Sequence, residues 1–185
     1  VIVHTKRSEF PAMSLAWGPL RASNQGLSGA GKHPSYTLIT CYCKQVFINY
    51  FDFQIASMSY KTTAEQCQMP STGLTRQFTC GIVDTSGHFA MFGTTSGELC
   101  VFNITSKIFR ASIPVSSNGI LSVEEIDGAI FVGSGDGKVK KLMGSDVTWS
   151  IVAESYLGGR ITSLSNSSDL REIVCGNSLG CIYRL

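Results

Sequence analysis

Along most of its length the chain alternates short runs of β-branched, aromatic and aliphatic residues with clusters of Gly, Asp, Asn and Ser. From about Gln77 this pattern predicts strands over Phe78–Val83, Phe89–Phe92, Leu99–Phe102 and Lys107–Ile113, with turns at Asp84–Gly87, Thr94–Gly97 and Asn103–Ser106. The layout then recurs as Ile120–Ile126, Ile130–Val132, Val139–Leu142 and Thr148–Ala153, with turns at Asp127-Gly128 and Ser134–Gly137. A further unit runs Arg160–Leu164, Glu172–Cys175 and Gly180–Leu185. No segment of helical length sustains apolar residues at three- and four-residue spacing, so the expectation is an all-β chain.

Within this pattern a glycine pair returns three times: Gly93 and Gly97, Gly133 and Gly137, Gly176 and Gly180. Successive copies lie 40 and 43 residues apart, the length of one four-stranded propeller blade. The later glycine of each pair suits a tight hairpin needing positive φ. The earlier one sits at a strand end, where a side chain would crowd the neighbouring backbone. Independent hairpins in a sandwich are the alternative, and would make two similar spacings a coincidence.

Upstream the repeat fades. Tyr36–Ile48 and Asn49–Ile55 read as strands, with Phe51-Asp52 where a third strand would end, and Ala56–Thr75 as a linking strand with a long loop. Ser14-Leu-Ala-Trp-Gly reads as the first strand of another unit, and Arg21–Pro34 as a Gly/Ser-rich loop. The organisation expected is therefore 1–35 as strand and loop, 36–75 as a divergent blade with linker, and 76–185 as regular blades. About four blades result, fewer than many closed rings contain, so an incomplete ring is expected. On that reading the chain is a portion of a longer one, or a second polypeptide supplies the remaining blades.

The composition, 43% hydrophobic and 15% charged, is that of a globular protein. A net charge of +2 argues against nucleic acid as partner, and the one basic block is Lys138-Val139-Lys140-Lys141. No apolar run approaches the roughly 18 residues of a membrane span. The odd number of cysteines, seven, set mostly in apolar runs, predicts reduced buried thiols of a cytosolic protein. The sequons at Asn103 and Asn166 are read as chance matches.

The unit from Asp84 to Asn103, with Thr94-Thr-Ser-Gly97 between its strands, resembles a WD40 repeat. Phe102-Asn103 stands where that family has Trp-Asp, and Leu142-Met143 takes the place in the next copy. The usual Gly-His and buried Asp network are missing, and His88 falls at the start of the second strand, away from the family's structural histidine. The stretches Glu65–Gln68, Phe92–Glu98, Ile130–Gly135, Gly158–Leu164 and Ile182–Arg184 resemble, in order, the middle of double-propeller WD-repeat proteins of ciliary and flagellar axonemes. This resemblance covers roughly Phe47 to Leu185. It implies a non-enzymatic structural protein inside doublet microtubules, contacting tubulin and other microtubule inner proteins, located in the cytoskeleton of the cilium or flagellum. The other reading is a general WD40 interaction module in another cytosolic complex.

Three constellations invite chemistry. Gly26-Leu-Ser-Gly-Ala-Gly31-Lys32 has phosphate-loop spacing, but His33 stands where Ser or Thr would hold magnesium, and Pro34 opposes the helix that should follow. Cys41 and Cys43, two apart on a strand, could share a face and recruit His33, yet no second close pair completes a metal site. Glu124 and Glu125 point to opposite faces of one strand and cannot act as an acid–base pair. Asp127, Asp136 and Asp146 are assigned to turn chemistry. No catalytic, cofactor-binding or metal residues are expected, and no cofactor.

Overall fold

A computed structural model describes residues 11–22, 34–70, 74–167 and 172–185. These form sixteen strands and, among the described residues, no helix. The first sheet takes β1 (Ala12–Trp17), β3 (Pro34–Tyr42), β4 (Gln45–Gln54) and β5 (Ser59–Gln66), with the two-residue β2 (Arg21–Ala22) against β3. The second is β6 (Phe78–Val83), β7 (Phe89–Thr94), β8 (Glu98–Asn103) and β9 (Ile108–Pro114). The third is β10 (Ile120–Ile126), β11 (Ala129–Ser134), β12 (Lys138–Ser145) and β13 (Thr148–Tyr156). The fourth has β14 (Ile161–Ser167), β15 (Glu172–Asn177) and β16 (Ile182–Arg184). Every pairing within the sheets is antiparallel; the second, third and fourth sheets are up-and-down meanders of sequential strands, while in the first β1 and β2 both pair with β3.

Strand assignment in the second, third and fourth sheets follows the apolar pattern closely. Upstream the structure corrects the reading. The break expected between Ile48 and Asn49 is absent, because both lie inside β4, and the turn falls instead at Cys43-Lys44. The linking strand expected within Ala56–Thr75 is Ser59–Gln66, eight residues paired along their whole length to β4 as part of the first sheet. Residues on both sides of position 35 build one sheet, since β3 pairs with β1 from Ala12 to Trp17.

Two features recur through all four sheets. The first two strands of each carry a register shift at the same place: Ala12/Ser14, Phe78/Cys80, Ile120/Ser122 and Ile161/Ser163. Such a bulge bends the strand and re-aims the residue before it. Successive sheets also pack face to face, β1 on β6, β6 on β10 and β10 on β14, so the first strands line one side of the assembly.

Period-two alternation divides the core accordingly. Ala90 and Phe92 of β7 join Ile39, Val46 and Ile48 between the first and second sheets. Met91, between them in sequence, turns the other way to join Leu99, Ile120, Ile130 and Val132 between the second and third. A smaller cluster of Val139, Ile161 and Cys175 lies between the third and fourth. The fourth strands β5, β9 and β13 are mostly exposed or half-buried, as outermost strands should be.

Candidate interaction surfaces

The glycine pairs mark the seams between sheets. A Cβ on Gly93 would lie 2.4 Å from Cγ2 of Ile120, and one on Gly133 would lie 2.5 Å from Cγ2 of Ile161. Each of these isoleucines precedes the bulge of the following sheet and is fully buried. The crowding expected at a neighbouring backbone is therefore with a side chain of the next sheet. The later glycines, Gly97, Gly137 and Gly180, have φ of 87°, 78° and 79°, as tight hairpins require.

Between the glycines, one side chain staples each hairpin. Thr94 Oγ1 accepts from the N–H of Glu98 at 2.9 Å and donates to its carbonyl at 2.9 Å. Ser134 donates to the Lys138 carbonyl at 3.0 Å, and Asn177 Oδ1 accepts from the N–H of Cys181 at 2.9 Å. Three different residue types perform one task, which is why the sequence pattern alone did not single them out.

Several acidic and basic side chains are engaged in contacts within and between the sheets. Asp136, assigned from sequence to a turn, also accepts from Lys140 Nζ at 3.2 Å, and Lys140 is buried and donates to the Val115 carbonyl. Burial alone would raise the Asp136 pKa, but hydrogen bonds from Ser134, Lys140 and the Lys138 N–H hold it below the ordinary value of 3.8. Glu125 is buried and takes both the N–H and the hydroxyl of Thr85, each at 2.8 Å, bridging the second and third sheets. Arg76 is buried against Glu98 at 3.1 Å and lies over the Phe109 ring. The basic block is likewise absorbed: Lys138 pairs with Glu154, Lys140 with Asp136, and Lys141 lies 5.6 Å from the Phe131 ring centroid.

Of the chemical candidates, Gly26–Lys32 and His33 lie outside the described residues. Cys41 is buried in β3, but Cys43 falls in the turn after it and is half-buried, so the shared strand face proposed for them does not exist. Burial raises the Cys41, Cys67 and Cys100 thiols to about 12 and Cys80 to about 11, which keeps them protonated and poor nucleophiles at neutral pH. Cys181, expected among buried thiols, is exposed. His88 is exposed just ahead of β7. Phe102, at the Trp-Asp position, is fully buried among Phe78, Phe92 and Phe109, while Asn103 caps its turn by accepting from the Ser106 N–H at 2.8 Å. Among the described residues no group of three or more His, Cys, Asp and Glu side chains is placed to hold a metal ion.

What remains open is surface. A shallow pocket of about 270 Å³ between the first two sheets is lined by Pro19, Leu20, Thr37, Tyr50, His88 and Lys107 among others. The buried Thr37 hydroxyl has no hydrogen-bond partner, but Lys107 is paired with Glu65. Large exposed apolar side chains occur on every sheet, among them Val152 and Tyr156 on the third. On the first sheet these include Leu15 and Trp17, and on the fourth Val174, Ile182 and Leu185.

No family model matches the chain, and no curated protein does. Among solved structures, the computationally designed Ika4 protein is similar in fold, with a TM-score of 0.64 at 12% identity over 98% of this chain and 94% of that one. The computationally designed Ika8 protein superposes with a TM-score of 0.59 at 12% identity, over 94% of this chain. The chain spans 45% of the Ika8 chain. At this identity the likeness concerns the fold alone.

Proposed function

We propose that the four sheets are consecutive WD40-like propeller blades and that the chain is a non-enzymatic structural scaffold. The observation supporting the blades is the recurrence, at the second–third and third–fourth seams, of a bulged first strand seated over the earlier hairpin glycine of the preceding sheet. A side-chain staple and a positive-φ glycine accompany it in each of the last three sheets. Glu125, Asp136, Lys140 and Arg76 are engaged in contacts within the sheets and between them, a use consistent with a structural role. In this scheme Phe102-Asn103 replaces Trp-Asp, with the aromatic cluster and the Asn103 turn cap supplying local rigidity.

The partner reading rests on sequence likeness. The ordered motifs from Phe47 to Leu185 resemble cilia- and flagella-associated protein 52, and that likeness supports the reading of a scaffold inside ciliary or flagellar doublet microtubules, against tubulin and other inner proteins. The test is quantitative recovery from salt-washed axonemal doublets, together with binding to purified tubulin during co-assembly. Absence from purified axonemes overturns the ciliary reading. Affinity recovery of a tubulin-free complex would assign the same blades to a general interaction module instead.

A further inference from the structure

The outer strands of the second and third sheets, β9 and β13, are built alike. Each carries a register shift against the strand before it, between Val101 and Phe102 for β9 and between Lys141 and Leu142 for β13. The pairs on one side of the shift are Phe102 with Phe109 and Leu142 with Ile151. On the other side they are Val101 with Ala111 and Lys141 with Ala153. Phe109 and Ile151 are thus equivalent, as are Arg110 and Val152, the extra residues of the two bulges. Strand β5 has no such shift.

The two edges differ in what lies beside them. On β9 the chain supplies a further extended segment, drawn from the connection between Gln66 and Phe78. Gln68 donates its N–H to the Lys107 carbonyl at 2.8 Å and accepts from the Phe109 N–H at 3.1 Å, a parallel bridge centred on Ile108. Cys67 and Met69, on either side of it, are respectively buried and packed on the same core cluster as Phe109. The third sheet receives no counterpart. The connection after β9 is short and tied elsewhere, with Val115 and Ser116 both donating to the Gly97 carbonyl at 2.9 and 3.0 Å. Among the described residues no main-chain group pairs with the outer edge of β13. The Trp149 carbonyl and the Ile151 N–H stand where β9 offers the Lys107 carbonyl and the Phe109 N–H. Phe109 is half-buried, whereas Ile151 is 42% exposed.

Composition leaves this edge open. Strand β13 reads Thr-Trp-Ser-Ile-Val-Ala-Glu-Ser-Tyr, without the Lys or Pro that commonly blunts an edge. Its one charge, Glu154, is paired with Lys138, and Asp146 in the preceding turn is paired with Arg110. Val152 is exposed at the bulge where β9 carries Arg110. The bulge itself does not bar pairing, since Gln68 docks on β9 beside one. Unpaired main-chain donors and acceptors at strand spacing are matched by another extended strand.

We propose that the outer edge of β13 is a docking site for an extended, uncharged peptide segment of a partner protein. The segment lies parallel to β13, one residue donating to the Trp149 carbonyl and accepting from the Ile151 N–H, with an apolar residue on either side of it. The place is filled on β9 by a short connecting segment and not by another sheet edge, which selects a peptide over a second copy of β13. The site stands on the pairing within two adjacent sheets and is independent of the axonemal reading.

The probe is a capped synthetic peptide copying residues 64–70 of this chain with Glu65→Gln and Cys67→Val, titrated into the labelled full chain and followed by amide NMR. Shifts should centre on Trp149, Ser150 and Ile151, with a dissociation constant of about 1 mM or tighter that salt does not change. The same peptide with Gln68→Pro lacks the N–H for the Trp149 carbonyl and should not bind. In the protein, Ile151→Pro removes an N–H that faces solvent, a place where an edge strand tolerates proline, and should weaken binding at least about tenfold. Should that variant fail to fold, the two peptides on the unaltered chain decide. No shifts up to about 10 mM, equal binding of both peptides, or shifts at Lys107–Phe109 in place of β13 overturns the proposal. Broadening of the β13 amides with protein concentration alone assigns the edge to a second copy and overturns it as well.

Discussion

Replacing Gly93 by alanine places a methyl group 2.4 Å from Ile120 Cγ2, 2.8 Å from Ile120 Cβ and 2.9 Å from Cys80 Sγ. Comfortable carbon–carbon contacts lie near 3.5–4.0 Å, so the second and third sheets must separate by a large part of an ångström or Ile120 must leave its rotamer. Ile120 is fully buried and has no room to yield. Overpacking of this kind costs about 1–3 kcal/mol, and replacing a strand glycine returns about 0.5–1 kcal/mol of chain entropy. The expected net loss is about 1–2 kcal/mol. Gly176→Ala makes the same change where only the rotatable Ser163 hydroxyl is close, at 2.8 Å. It should be neutral or stabilising by up to about 1 kcal/mol. Urea titration followed by far-UV circular dichroism reads both values. Ile120→Ala in the Gly93→Ala background should cost less than the single changes predict, with a coupling of about 1 kcal/mol or more. Equal effects at Gly93 and Gly176, or additivity with Ile120→Ala, would refute the seam as the reason for the glycine.

Other consequences follow from the same contacts. Asp136→Ala leaves the buried Lys140 ammonium without its carboxylate and should destabilise by about 3 kcal/mol in denaturant titration. Because the folded Asp136 pKa lies below its ordinary 3.8, the pair's contribution is full above that value and fades as pH falls through the folded pKa; in Asp136→Asn that acid-limb loss should shrink. Thr94→Val removes both bonds stapling the β7–β8 hairpin and should cost about 1–2 kcal/mol, with Thr94→Ser recovering most of it. Brief alkylation of native protein, read by peptide mass spectrometry, should modify Cys181 first and leave Cys41, Cys67 and Cys100 intact until denaturant is added.

The last three sheets were legible because their information is local. Apolar runs such as Phe78–Val83 and Ile120–Ile126 coincide with strands, and Gly97 and Gly137 announce hairpins, since positive φ favours glycine wherever the turn is tight. The first sheet was only partly legible. Its hairpin turns on Cys43-Lys44 without glycine, and β5 reads Ser-Tyr-Lys-Thr-Thr-Ala-Glu-Gln, a largely polar outer strand with little apolar signal. The repeat became fourfold only through the bulge at Ala12/Ser14, a feature of pairing and therefore of two distant segments at once. For the same reason, one-dimensional reading left Asp136 in a turn and Lys140 in a basic block.

The sequence by itself determined the class of structure, the hairpins and the repeat length, because alternation and turn propensity act over a few residues. It also showed that the earlier glycine of each pair needed space. Only the tertiary structure decided what fills that space, since Gly93 and Ile120 are brought together by the packing of one sheet on the next. The same packing buries Leu99 and Val139 and leaves Ile182 in water, although all three pair with the same recurring glycine. Burial depends on the neighbouring sheet, and neighbours are a property of the fold.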